Sequence, residues 1–437
     1  MKIRGLIVAA AVFFVLGGTL YWSDHHKAAE DTTKTSPDTP PILKLDEAAI
    51  IKLELKKKDA PPIVLIKASD NWQIAEPKEL RADQSAVLGM VSTLSSLNSE
   101  RLVEEKASDL KRYGLDQPAF EADITEKDSK TQKLLIGDDT PTGSAAYAML
   151  AGTPRIYTMA SFNKSSVDKG LNDLRDKRLL TASFDRISRI ELVKKGQDIE
   201  FGRSKDGWQI LKPKPLRADS SQVDEIARKL TDARMDLPGG SESGDASTAF
   251  AKATPLVTAR VTDQSGIQEL QIRKSKDTYY AQSSAVAGIY KVGPDLGTGL
   301  DKALDDFRNK KIFDFGFDDP DKVELHNGSK AYFLTRSGAD WWSDGKKMDS
   351  ESVQSFLAKL RELTADKFPD AGFAKPAIVA IVTSGNGQRL ERVSIAKSGN
   401  GYIARREGER ALYELSSGPV EDALKAADGI VAAAKAK

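Results

Sequence analysis

The sequence predicts an α+β protein, in which an N-terminal transmembrane helix precedes three tandem repeats of a mainly antiparallel sheet with two helices each. Three observations carry this expectation. A motif recurs as Trp72-Gln73-Ile74 before Leu80-Arg81-Ala82-Asp83, as Trp208-Gln209-Ile210 before Leu216-Arg217-Ala218-Asp219, and as Trp341-Trp342 before Lys347-Met348-Asp349. Its aspartates stand 136 and 130 residues apart, far beyond any solenoid period, so each copy is expected to be a domain with its own core. Around each motif, short alternating segments frame one run of helical spacing, and ahead of all three lies an uncharged apolar stretch from Gly5 to Trp22.

That stretch is 18 residues long, enough to span a bilayer, and it follows Lys2 and Arg4. Basic side chains stay on the cytoplasmic side, and Tyr21 and Trp22 suit the interfacial border. Residues 1–23 therefore read as a cytoplasmic tip and single-pass anchor in the inner membrane, with the body in the periplasm. A signal peptide cut near Ala28-Ala29 would deliver the same body to the same compartment, and the absence of cysteine removes acylation as an anchor. Residues 24–44, rich in Thr, Pro, Asp and Ala, read as a flexible linker.

Repeat domain 1 (45–180) opens on Ile51-Lys52-Leu53-Glu54-Leu55, Ile63-Val64-Leu65-Ile66 and Trp72-Gln73-Ile74, three strands of a meander. Repeat domain 2 (181–311) restates them as Ile190-Glu191-Leu192, Ile199-Glu200-Phe201 and Trp208-Gln209-Ile210. The divergent repeat domain 3 (312–437) gives Val323-Glu324-Leu325, Tyr332-Phe333-Leu334 and Trp341-Trp342. Alternation sends Glu54, Glu191 and Glu324 outward. Asp83, Asp219 and Asp349 are placed as N-caps, because a short side-chain acceptor satisfies free amides of the first helical turn. Stripes follow at Val87, Met90, Val91, Leu94 and Leu97, at Val223, Ile226, Ala227 and Leu230, and at Val353, Phe356, Leu357, Leu360 and Leu363, each burying one helical face. Four further strands follow in each copy, then a closing helix over 167–174, 300–307 and 420–427, so the unit is three strands, a helix, four strands and a helix. The closing helices of the first two copies run into basic clusters, residues 174–180 and 307–313, with no linker of length between copies.

Composition bounds the chemistry. The 65 basic and 64 acidic side chains nearly balance, against the basic surplus that general nucleic-acid binding requires. Zero cysteines remove thiolate nucleophiles and Cys-type zinc sites, and the 3 histidines, His25, His26 and His326, are too few and too scattered for a triad or a zinc site. Asp314, Asp318, Asp319 and Asp321 lack the spacing of a calcium loop and read as a solvated junction. No catalytic, cofactor-binding or metal-binding residue is assigned. Arg81, Arg217 and Lys347 are the candidate anion or partner contacts, since a cation beside a helix N-terminus can hold an anion; the competing reading pairs them internally, locking the Trp strand to the helix. Trp72, Trp208 and Trp341, with Asp83, Asp219 and Asp349, read as a structural motif.

The Trp-x-Ile strand before Leu-Arg-Ala-Asp, the element Tyr113-Gly114-Leu115-Asp116 before a proline, and Leu174-Arg175-Asp176-Lys177-Arg178-Leu179-Leu180 before the next strand together resemble the bacterial family of unknown function numbered 4340. The resemblance covers most of residues 45–311 and weakens in the third copy, where Lys347 replaces Arg, the proline is missing and the Tyr-Gly-Leu-Asp element is absent. It implies an envelope protein associated with ABC-transporter or gliding-motility components. The functional expectation is thus a non-enzymatic, membrane-anchored extracytoplasmic accessory or scaffold protein, with ABC transporter permease or auxiliary subunits as partners and no nucleic acid. The alternatives are binding of envelope polysaccharide or peptidoglycan, and a carboxylate-dependent hydrolase.

Overall fold

The computed structural model describes residues 40–237, 246–316 and 318–434. The expected anchor at 1–23 and most of the expected linker lie outside them; among the described residues no helix is long and apolar enough to cross a membrane. The chain divides into two compact units between Lys177 and Arg178.

The first unit holds a sheet of nine strands: β1 (Ile50–Lys57), β2 (Ile63–Ala68), β3 (Asn71–Glu76), β4 (Leu80–Arg81), β5 (Arg101–Glu104), β6 (Phe120–Glu126), β7 (Thr131–Asp139), β8 (Ala145–Leu150) and β9 (Ile156–Ala160). Their order is β4-β3-β2-β1-β6-β7-β8-β9-β5, with antiparallel pairing throughout. Two meanders thus meet through their first strands, β1 and β6. Alternation along β1 buries Leu53 and Leu55 and turns Lys52, Glu54 and Lys56 outward, and a register shift between Ile50 and Lys52 lets Ile50 be buried too. Helix α1 (Gln84–Ser95) covers the buried face with Val87, Met90, Val91 and Leu94, and the short helices α2 (Ser161–Val167) and α3 (Leu171–Leu174) follow the last meander strand.

The second unit holds two sheets of eight strands. One contains β10 (Arg189–Lys194), β11 (Gln197–Ser204), β12 (Gly207–Lys212), β13 (Leu216–Arg217), β14 (Thr254–Asp263), β15 (Gly266–Ser275), β16 (Thr278–Ser283) and β17 (Ile289–Val292), in the order β13-β12-β11-β10-β14-β15-β16-β17. The other contains β18 (Lys322–Asn327), β19 (Lys330–Ser337), β20 (Asp340–Ser343), β21 (Lys346–Lys347), β22 (Ile378–Ser384), β23 (Arg389–Ser398), β24 (Gly401–Arg406) and β25 (Leu412–Leu415), in the order β21-β20-β19-β18-β22-β23-β24-β25. Their helices are α4 (Ser220–Thr231), α5 (Ala246–Lys252) and α6 (Pro294–Leu300) in the first, and α7 (Ser350–Glu362) and α8 (Ser417–Asp428) in the second. Each sheet has its own core under its amphipathic helix, around Trp208 and Phe201 in one and Trp341 and Phe356 in the other.

This corrects the expected α+β unit. The architecture is mainly antiparallel β, with few helices and no regular pair of them in each copy. The extra strand is the motif itself: after a turn, Leu80-Arg81 and Leu216-Arg217 fold back on the Trp strand and pair with it, over two residues too few to show alternation. The closing helix expected over 167–174 is interrupted between Val167 and Leu171, and the one expected over 300–307 lies earlier, with only a 3-10 turn at Leu304–Phe307. Gly297 sets how closely α6 sits, since a Cβ there would fall 2.3 Å from the Tyr279 ring. Strand β5 is reduced in the other two sheets to single bridges, Asp236 to Lys291 and Lys367 to Glu414, and among the described residues helix α5 has no counterpart in them.

Candidate functional site

The tryptophans are core residues, with Trp72 and Trp341 only 1% exposed and Trp208 4%. In the first two copies the following helix fastens the Trp strand from its first turn. Gln84 accepts from the Trp72 amide (2.8 Å) and donates to the Trp72 carbonyl (2.9 Å), and Ser220 accepts from the Trp208 amide (3.1 Å). Asp224 adds a hydrogen bond from the Trp208 indole at 2.8 Å. Asp83, Asp219 and Asp349 stand at the N-caps of α1, α4 and α7, accepting from Ala86, from Ser221 and Gln222, and from Ser352. Their own amides donate to Leu174, Phe307 and Val431, so the motif in each copy also clips the segment that closes that copy.

The cations diverge. Arg81 Nε lies 3.8 Å from Asp176, and Lys347 pairs with Asp340 at 2.9 Å. Arg217 reaches from the second sheet to the third copy. Its Nη2 donates to the Lys311 carbonyl (2.5 Å) and to the Tyr413 hydroxyl (3.3 Å), and Nε sits 3.1 Å from Glu409, an ion pair without hydrogen-bond alignment. Its guanidinium also lies over the Tyr413 ring, 5.5 Å from the centroid. Beside it, Leu216 packs against the cores of both copies.

Sequence reasoning missed the partners on the far side. Arg406, on β24, donates to Glu391 (2.8 Å), to Glu409 (2.7 Å) and to the Ile312 carbonyl, and Glu391 accepts from the Asp314 amide. Glu391 and Arg406 are both buried. Burial alone would lower the Arg406 pKa; its bonds to Glu391 and Glu409 hold it above the ordinary value. Burial raises the Tyr413 phenol, with Arg217 opposing and Glu409 reinforcing the shift. Backbone pairing extends the joint: Ile312 donates to Leu363, Ala365 donates to Lys310, and Arg308 lies over the Phe368 ring at 3.5 Å. The one sequence signal was Glu391, an acid at an inward strand position flanked by Val393 and Ile395.

The acidic cluster disperses. Asp314 joins this junction, Asp319 pairs with Arg361 at 2.9 Å, and Asp321 faces Arg336 at 3.8 Å. Among the described residues no group of three or more His, Asp or Glu is placed to hold a metal ion. In the first unit, Tyr113 donates to Glu104 at 2.5 Å and joins Leu115, Met149 and Ile156 in a small second core. Gly114 has φ 64° there, and a Cβ on it would meet Asp138 at 2.5 Å.

What the fold and these bonds define is a tandem-repeat β protein whose repeated motif ties each copy closed and, at Arg217, joins two copies. The family model described as Domain of unknown function (DUF4340) matches residues 72–247 and 208–381, more than half of the chain, and the chain belongs to that family. No curated protein matches it.

Proposed function

We propose that this is a non-enzymatic accessory protein of the bacterial envelope that works by binding and spacing partners, with an ABC-type transport system as its neighbour. Its uncharged stretch at 5–22 would hold it at the inner membrane with the body in the periplasm. The observation that carries this reading is the engagement of Arg217. A side chain free to bind an anion would face solvent, whereas this one bonds Lys311 at the end of its own copy and Tyr413 and Glu409 of the following one. Such a joint suits a molecule that transmits position. Burial of Trp72, Trp208 and Trp341 weighs against those rings as sugar-stacking platforms.

Photo-crosslinking of the full chain in its native membranes, followed by identification of the attached proteins, tests the proposal. Transporter permease or auxiliary subunits are expected. Recovery of none, together with retention of the chain on purified cell-wall glycan, would overturn it.

A further inference from the structure

The outer face of the third sheet differs in kind from the same face of the other two. Opposed positions across the centre of each sheet carry Val64, Glu54, Asp123 and Lys133 in the first and Glu200, Glu191, Arg260 and Glu269 in the second. In the third they carry Phe333, Glu324, Ile381 and Arg392. One row along, Gln73 and Gln209 give way to Trp342, while Leu390, which faces Thr383, replaces Thr131 of the first copy and matches the exposed Ile267 of the second. Phe333 is 41% exposed, Trp342 40% and Leu390 62%.

A backbone change accompanies the substitutions. In the first two copies the Trp strand runs on, so that Glu76 lies opposite Val64 and Lys212 opposite Glu200. Strand β20 stops at Ser343, where Asp344 (φ 45°) and Gly345 (φ 73°) form a two-residue hairpin, and nothing on that strand lies opposite Phe333. Truncation and substitution therefore open the same place.

We propose that this face is a docking site for a short acidic segment of a partner protein with apolar side chains at alternate positions. Charge selects the acid. Lys322 and Lys347 pair with Glu324 and Asp340, whereas Arg392, across the ladder from exposed Glu407, and, on the adjacent strand, Arg405, stacked over the Phe373 ring at 4.6 Å, are exposed and make no ion pair among the described residues. Size selects a segment. Five strands at about 4.8 Å spacing, two outward side chains deep, make a patch of roughly 300 Å². A second copy of the chain would need about 800 Å² per partner for a stable interface. An extended strand presenting one apolar edge needs no more than the patch offers.

The test uses a fluorescent octapeptide of alternating Asp and Phe, a Lys/Phe counterpart, purified peptidoglycan and anionic phosphatidylglycerol vesicles, each titrated with the full chain. The chain is expected to bind the Asp peptide at least tenfold more tightly than the Lys peptide. The triple variant Trp342→Gln, Phe333→Glu, Ile381→Arg installs side chains that the second copy carries in the same frame, and should lower Asp-peptide affinity at least tenfold with an unchanged circular dichroism spectrum. Arg392→Ser should remove most of the preference for acid. Equal binding of the two peptides, undiminished binding by the triple variant, or Trp342-dependent retention on peptidoglycan or vesicles would overturn the site. The proposal rests on the accessory reading only in making the partner a protein. Absence of transporter crosslinks together with Trp342-independent retention on glycan sinks that reading and leaves the docking face standing, while Trp342-independent peptide binding does the reverse.

Discussion

Arg217 decides how the repeated motif is understood. Its Nη2 donates both to the Lys311 carbonyl, at the end of its own copy, and to the Tyr413 hydroxyl of the next, while the planar guanidinium lies over the Tyr413 ring, a set of contacts that a compact ammonium would not keep together. Arg217→Lys is therefore not conservative, and either it or Arg217→Ala should cost the second unit about 1.5–3 kcal/mol in a denaturant titration, the range for charge-assisted hydrogen bonds. Asp219→Ala should cost about 1 kcal/mol through loss of the cap. Trp208→Ala should cost about 3–5 kcal/mol through the cavity it leaves. An Arg217→Ala protein as stable as the parent would mean the joint is incidental. The aspartates and tryptophans could be read from the sequence because a cap and its apolar stripe are local. The destination of Arg217 could not, since Tyr413 lies 196 residues away.

At the scale of elements, the outward faces of the first two sheets are held by cross-strand ion pairs. Arg260 bridges Glu191 and Glu269, both at 2.8 Å. Its hydrogen bond is the main cause holding Glu191 below the ordinary 4.5, while Glu269 is lowered first by Gln271 and then by Arg260. A carboxylate depressed in the folded state stabilises above its unfolded pKa and loses that contribution as pH falls through the folded value. Arg260→Leu should accordingly lower stability more at pH 7 than at pH 3, by under about 1 kcal/mol per pair because these groups are partly exposed. Equal losses at the two pH values would contradict the pairing. Periodicity made β1, β10 and β18 legible together with their outward glutamates. It could not reveal the two-residue strands β4, β13 and β21, nor distinguish a closing helix from short helical turns around Gly170.

For the whole molecule, the triplicate sequence became three sheets of one strand order, the first in one compact unit and the second and third in another. What length and spacing could not supply was how copies are joined, because the junction draws on residues from Leu216 to Tyr413. The central claim is that the motif holds the second and third copies as one body. With no native cysteine in the chain, spin labels can be placed at exposed Lys205 and Asn400 and their separation measured by electron double resonance on the full chain. One narrow distance distribution is expected, broadened by Arg217→Ala; a broad distribution in the parent, unchanged by that substitution, would show that the two copies move independently and would contradict the account.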